Sequence, residues 1–101
     1  MTFFDKLFGK SENLKTVFDR GAIILDVRLP EEFDQGHISG AMNIPIDRLD
    51  GQINYLKKKA RPIITCCRSG SRSQRAKTAL AAAGIEVYNG GPWDSLQRQI
   101  R

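Results

Sequence analysis

The sequence predicts an α/β fold, in which a mainly parallel sheet of four to five strands is covered by helices on both faces. Short apolar runs rich in β-branched residues alternate along the chain with segments whose apolar residues recur every three or four positions. A chain of 101 residues, 41% of them hydrophobic, is long enough to bury one core, so we expect a single domain over residues 1–101. Alternating strands and helices in so short a chain are typical of a parallel sheet.

The first part of the chain predicts three helices and two strands. Glycines end the first two helices, and Pro30 with the acidic residues after it suits a first helical turn. The third helix repeats its apolar residues at spacings of three and four until Arg61 and Pro62 end it. In order, we expect a helix over 12–21, a strand over 22–27, a helix over 30–36, a strand over 41–45 and a helix over 46–60.

The second part predicts two further strands and two further helices. The apolar run at 62–66 is typical of a buried strand, and the segment 71–84 is rich in strong helix formers with Gly84 at its end. A short strand over 86–89 and a helix over 92–100 complete the chain. A fifth strand, at the edge of the sheet, is suspected before residue 14.

The net charge of +5 is concentrated in one region of the sequence. Residues 1–50 carry six Lys and Arg against nine Asp and Glu, residues 51–85 carry eight against none, and residues 86–101 carry two against two. Such a region can attract nucleic acid, an acidic partner or a small anion. Tyr55 is its only aromatic residue and no nucleic-acid reader motif is present, so we expect no binding to nucleic acid.

The first twelve residues mix Phe and Leu with charged residues, and they lack the apolar segment of a signal peptide. No later segment is long and apolar enough to span a membrane, so we expect a cytoplasmic protein that does not bind membranes. Two adjacent cysteines suit neither a disulfide framework nor a zinc site. We therefore expect free thiols, no metal and no cofactor.

Polar and small residues follow three of the predicted strands at the points where these strands end. Ligands of parallel sheets bind at the carboxyl ends of the strands, where these residues would meet. The sequence therefore predicts a binding site formed by Asp26, Arg28, Cys66, Cys67, Asn89, Gly90 and Gly91.

The loop after the strand at 62–66 is suited to bind an anion. A loop between a strand and a helix N-terminus turns successive backbone N–H groups toward one point, and the helix dipole adds positive potential. A cysteine at the start of this loop would be favoured as the thiolate by these groups and by Arg68 and Arg72. Gly70 would permit a tight turn, and Ser71 or Ser73 could cap the helix.

Only one of the two cysteines can face this loop. Successive residues of a strand point to opposite faces of the sheet, so one sulfur looks toward the loop and the other toward packed side chains. The residues alone leave open whether that one is Cys66 or Cys67.

Three motifs resemble the rhodanese-like sulfurtransferases, specifically the small single-domain members. These are ILDVRLPEEFDQGHISGAMNIP at 24–45, CRSGSRS at 67–73 and VYNGG at 87–91, and the resemblance covers about residues 12–93. In that family the catalytic cysteine heads the loop and is followed by Arg, a variable residue and Gly. The resemblance therefore implies that Cys67 is catalytic and that Cys66 has a packing role.

The resemblance also implies a reaction in two steps. A thiolate takes the outer sulfur of a donor such as thiosulfate as a persulfide, sulfite leaves, and a thiol or cyanide then accepts the sulfur. Arg28 would neutralise donor charge or form an ion pair with Glu31 or Glu32, and Asp26 would anchor the loop by hydrogen bonds. The implied donor-binding residues are Arg68, Ser69, Gly70, Ser71, Arg72 and Arg28. The partners would be a small anionic sulfur donor and a thiol or cyanide acceptor, with a thiol protein as a further candidate.

Two other functions fit the loop. Counted from Cys66, the residues CCRSGSRS have the C-x5-R-S spacing of a phosphatase or arsenate reductase loop, although Ser69 stands where such loops usually carry glycine. A carrier or binding module that receives sulfur from a protein persulfide would use the same residues as a thiosulfate enzyme. In the order GGPW, Trp93 follows the paired glycines more closely than in many relatives. The resemblance therefore does not predict which residue forms the wall of the pocket.

Overall fold

The computed structural model describes residues 13–101, which form ten helical and strand elements in the predicted order. The strands are β1 (Ile23–Asp26), β2 (Met42–Asn43), β3 (Ile63–Cys67) and β4 (Val87–Pro92). The α-helices are α1 (Leu14–Asp19), α2 (Pro30–Asp34), α3 (Ile53–Lys58), α4 (Ser71–Ala82) and α5 (Trp93–Ile100), and a 3-10 helix over Ile46–Gln52 precedes α3.

The four strands form one parallel sheet in the order β2-β1-β3-β4. Asp26 is paired with Cys66 across β1 and β3, so the polar residues that follow the strands meet at the carboxyl edge of the sheet. The prediction of an α/β fold with a parallel sheet is therefore confirmed. The suspected fifth strand falls on residues outside the described range. Among residues 13–101, no helix has both the length and the apolar composition needed to cross a membrane.

Each face of the sheet carries its own apolar core, because alternate strand residues point to opposite sides. On one face, Leu25 and Ile63 pack with side chains from the 3-10 helix, α3 and α4, among them Leu56 and Leu80. On the other face, the core includes Ile64 with side chains from α1 and α5, among them Val17, Leu96 and Ile100. Helices thus cover both faces, as predicted.

All nine predicted elements differ from the observed ones by one to three residues at one end or at both, and three of these differences are of consequence. Strand β3 includes Cys67, one residue beyond the predicted end. Strand β4 continues through the paired glycines to Pro92, because a register shift against β3 between Thr65 and Cys67 accommodates one extra residue on β4. The predicted helix at 46–60 is a 3-10 helix followed by α3, since apolar residues three positions apart fit either helix type.

Candidate active site

The sulfur of Cys67 lies inside a ring of hydrogen-bond donors formed by the turn into α4. Gly70 donates its backbone N–H to Sγ at 3.0 Å, and Ser73 donates its backbone N–H at 3.4 Å. The backbone N–H of Ser69 makes a smaller contribution to lowering the pKa of this thiol. Gly70 has φ of +103°, a left-handed conformation that residues with a Cβ rarely adopt, and this conformation lets the chain fold back over the sulfur.

The surroundings of Cys67 favour its ionised form. Burial by itself raises the pKa of this thiol, but hydrogen bonds from the Ser73 side chain and from the loop N–H groups outweigh burial and hold the pKa below its usual value. Because the thiolate is the nucleophilic form of cysteine, Cys67 is the candidate nucleophile of this site.

Cys66 has the opposite orientation and the opposite chemistry. Its side chain packs with Ile24, Tyr88 and Leu96 in the core on the other face of the sheet. Burial raises the pKa of the Cys66 thiol far above its usual value, so this residue stays protonated at neutral pH. The structure thus shows the predicted alternation of the two sulfurs, and a phosphatase loop that starts at Cys66 would place its nucleophile away from the loop N–H groups.

A buried hydrogen-bond network supports the loop from the side of β4. The hydroxyl of Ser73 lies 3.3 Å from Cys67 Sγ and 2.7 Å from Oδ1 of Asn89. The backbone N–H of Gly91 donates to the same Asn89 oxygen at 2.9 Å. The prediction that Ser71 or Ser73 caps α4 was wrong: Gly70 is the N-cap and no side chain caps it, while the Ser73 hydroxyl belongs to this network.

Arg72 is held by a carboxylate that the sequence analysis did not assign to it. Its two terminal nitrogens donate to Glu32 at 2.7 and 3.0 Å, in a paired geometry that joins α4 to α2. The Arg72 pair, together with the Leu29 N–H, lowers the pKa of Glu32 to about 2. Arg72 therefore brings positive potential close to Cys67, with Glu32 balancing its charge.

Arg28 pairs with neither of the glutamates expected from the sequence. It forms a buried ion pair with Asp26, with nitrogen–oxygen distances of 2.7, 2.9 and 3.1 Å, and it also donates to the carbonyl oxygens of Glu32 and Gly36. Asp26 also accepts the Arg28 backbone N–H at 3.0 Å, so it fixes the chain after β1. These bonds leave Arg28 few N–H groups for a donor anion.

Arg68 is the exposed cation of the loop. Within residues 13–101 it forms no hydrogen bond or ion pair, and Ser69 and Ser71 beside it are also exposed. A cavity of about 270 Å³ opens next to it. Its lining is Arg28, Glu32, Gln35, Gly36, Arg68 and Trp93.

Trp93 forms the wall of the pocket, which the sequence did not predict. Its ring lies 5.0 Å from the guanidinium carbon of Arg28, a distance typical of a cation–π contact. Asn89 lies at the edge of the sheet where it was predicted, but its bond to Ser73 and the pairing of Glu32 with Arg72 were not predicted.

The pair between Glu32 and Arg72 predicts a loss of stability in acid. Because the folded-state pKa of Glu32 lies below that of the unfolded chain, the stabilisation is complete above about pH 4.5 and disappears as the pH falls toward 2. We expect about 1 kcal/mol from this half-buried pair, after allowance for solvent screening.

Urea unfolding at neutral pH and in acid measures this effect. Glu32→Gln should lower the free energy of unfolding at neutral pH and should lose less stability than the parent protein on acidification. Glu31→Gln, at an exposed acid on the same helix, is the control and should leave the parent's pH dependence in place. An identical acid dependence in Glu32→Gln and the parent protein would contradict the role assigned to the pair.

The sequence matches the family model for the rhodanese-like domain over residues 10–92. The chain belongs to the rhodanese-like family. The rhodanese-like domain recurs in solved structures with the same fold. A rhodanese with anions from Escherichia coli is 30% identical with a TM-score of 0.68, over 74% of this chain and 91% of that one. A rhodanese-like domain protein from Staphylococcus aureus is 29% identical with a TM-score of 0.70, over 83% of each chain.

Related proteins of the rhodanese-like family include named thiosulfate sulfurtransferases. Thiosulfate sulfurtransferase GlpE of Ectopseudomonas mendocina is 39% identical over 68% of this chain and 63% of its own length. The uncharacterized protein YqhL of Bacillus subtilis is 41% identical over 69% of this chain and 56% of its own length. This chain thus spans less than two thirds of the length of either relative.

Proposed function

We propose that this rhodanese-like domain is a sulfurtransferase in which Cys67 carries the transferred sulfur as a persulfide. The observation that supports this proposal most directly is the set of N–H groups from Ser69, Gly70 and Ser73 around one thiol of lowered pKa. The same groups that stabilise a thiolate can stabilise the terminal sulfur of a persulfide. The names of relatives such as the Ectopseudomonas enzyme support thiosulfate as a donor.

Each step of the proposed reaction breaks one sulfur–sulfur bond and forms one new bond to the transferred sulfur. The Cys67 thiolate attacks the outer sulfur of thiosulfate, a new S–S bond forms, and sulfite leaves with the electron pair of the bond that breaks. A thiolate or cyanide then attacks the outer sulfur of the persulfide and releases the Cys67 thiolate. The donor would approach through the cavity beside Arg68 and Trp93.

The proposed donor-binding residues contribute to binding of the donor in different ways. Arg68 has N–H groups available for the sulfonate oxygens of the donor, whereas Arg72 is bound to Glu32 and acts mainly through its charge. The backbone of Ser69 and Gly70 holds the sulfur, and Ser71 lies exposed at the start of α4. Arg28, bound to Asp26, shapes the cavity wall with Trp93.

Formation of thiocyanate from thiosulfate and cyanide tests the proposed function. We expect turnover with saturation in both substrates and no hydrolysis of an aryl phosphate. Phosphate hydrolysis without sulfur transfer would favour the phosphatase alternative. If a persulfide forms from a protein donor but not from thiosulfate, the domain is a sulfur carrier and not a thiosulfate sulfurtransferase.

Arg68→Ala should raise the KM for thiosulfate more than Arg72→Ala does, because of these two guanidinium groups only that of Arg68 has no partner among the described residues. We expect kcat/KM to fall about ten-fold for Arg68→Ala, which corresponds to about 1.5 kcal/mol, the lower end of the range for a lost charge-assisted contact. Lys58→Ala removes an exposed cation at the end of α3 and is the matched control. Steady-state kinetics with an equal KM increase in the Lys58 variant would mean that general charge, and not Arg68, attracts the donor.

A further inference from the structure

The Ser73 hydroxyl has one hydrogen and several acceptors within reach. Asn89 Oδ1 lies at 2.7 Å, the carbonyl oxygen of Gly70 at 3.1 Å, and Cys67 Sγ at 3.3 Å. A hydroxyl can donate to only one of these acceptors at a time. The shortest distance is to Asn89, so the Ser73 hydrogen lies on that contact and the Cys67 thiol donates to the Ser73 oxygen.

Backbone contacts fix which end of the Asn89 amide faces Ser73. The Gly91 N–H donates to Oδ1 at 2.9 Å, and Nδ2 donates to the carbonyl oxygen of Gly70 at 3.3 Å. Gln74 accepts a further hydrogen bond from Nδ2 at 3.1 Å. A rotated amide would put oxygen against oxygen and N–H against N–H, so the acceptor end of Asn89 is directed at Ser73.

Ionisation of Cys67 reverses this chain of hydrogen bonds. The thiol proton leaves to solvent, and the Ser73 hydroxyl must turn away from Asn89 to donate to the thiolate. Asn89 Oδ1 then keeps only the Gly91 N–H. The Ser73 hydroxyl can therefore stabilise the thiolate only by giving up its buried hydrogen bond to Asn89. The loss of that bond favours the thiol form of Cys67.

We propose that Asn89 is a positioning residue that competes with Cys67 for the Ser73 hydrogen and thereby limits the fraction of Cys67 present as thiolate at neutral pH. This role goes beyond the proposed sulfur transfer and needs no sulfur donor. The charged and titratable groups near Cys67 are Arg68 in the loop, the Arg72–Glu32 pair between α4 and α2, the Asp26–Arg28 pair after β1, and the Cys66 thiol in β3. All of them stay unchanged when Asn89 is replaced.

The test is a pH titration of the Cys67 thiolate by its ultraviolet absorbance. The protein carries Cys66→Ala, so that Cys67 is the only thiol that contributes to the change in absorbance. Asn89→Ala should increase the acid dissociation constant of Cys67 about three-fold, and Asn89→Asp should decrease it about ten-fold. The aspartate keeps an oxygen for the Gly91 N–H but loses the Nδ2 donor to Gly70 and Gln74, so its titration is compared in protein whose circular dichroism matches that of the parent. Asn54→Asp, at an exposed position on α3, makes the same change in net charge and should have little effect.

The same titrations in a Ser73→Ala background separate competition from a purely structural role. Without the Ser73 hydroxyl, Asn89→Ala should no longer change the dissociation constant, and Asn89→Asp should retain only its electrostatic part. Equal effects of the Asn89 substitutions with and without Ser73 would overturn the proposal. So would a decrease in the dissociation constant for Asn89→Ala in protein whose circular dichroism is unchanged. Because no sulfur donor is present, these outcomes are independent of whether the domain transfers sulfur.

Discussion

Cys67→Ser is expected to abolish formation of thiocyanate from thiosulfate and cyanide. A serine hydroxyl in the same ring of N–H groups stays protonated at neutral pH, and an oxygen cannot carry the outer sulfur as a persulfide. The geometry of the loop should survive, since serine is close in size to cysteine. We therefore expect a folded protein with no turnover above the background reaction, measured at saturating concentrations of both substrates.

Cys66→Ser is the matched variant, because it makes the same chemical change one residue earlier and on the other face of the sheet. It should keep most of the activity and lose about 1–3 kcal/mol of stability, since it places a hydroxyl in an apolar core. An active Cys67→Ser protein, or a folded but inactive Cys66→Ser protein, would move the nucleophile to Cys66. Either result would favour the phosphatase alternative, in which the C-x5-R-S motif is counted from Cys66.

Gly90→Ala is expected to cause the largest loss of stability among substitutions near the site. A Cβ at this position would lie 2.8 Å from the carbonyl oxygen of Thr65 and 2.7 Å from a methyl carbon of Leu96. The Thr65 oxygen belongs to the backbone of a central strand and cannot move alone, so β4 would have to shift. We expect a cost of about 3 kcal/mol, the upper end for overpacking a core.

Urea unfolding measures this loss, with Gly51→Ala as the control. Gly51 lies in the 3-10 helix with no atom within 4 Å of an added Cβ, so its substitution should change the free energy of unfolding only slightly. The displaced β4 in Gly90→Ala should also carry Asn89 away from Ser73 and weaken the loop. Parent-like stability in Gly90→Ala would contradict the close packing of β4 on β3.

The sequence was sufficient to predict the sheet and the orientation of the two cysteines. Both follow from local rules, since buried parallel strands have continuous apolar runs and successive strand residues alternate between faces. Cys66 and Cys67 could therefore be assigned to opposite faces before their surroundings were known. The order of strands and helices then placed the loop at the carboxyl edge.

The partners of the charged residues could not be predicted, because they depend on packing between distant parts of the chain. Glu32 and Arg72 are forty positions apart, and their pairing requires that α2 lies against the start of α4. Arg28 had two glutamates at helical spacing, yet the Asp26 side chain two residues earlier folds back onto it. Strand β4 exceeded its predicted length because two glycines and a proline usually end a strand, whereas here Gly90 and Gly91 form a bulge and Pro92 pairs with Cys67.

The central claim, that Cys67 carries the sulfur, is tested most directly by locating that sulfur after incubation with thiosulfate. The protein is digested under non-reducing conditions, and the peptide that contains Cys66 and Cys67 is fragmented between these two residues in the mass spectrometer. We expect one additional sulfur atom on Cys67 and an unmodified thiol on Cys66. A sulfur on Cys66, or a protein that turns over thiosulfate and cyanide with no sulfur on Cys67, would contradict the account.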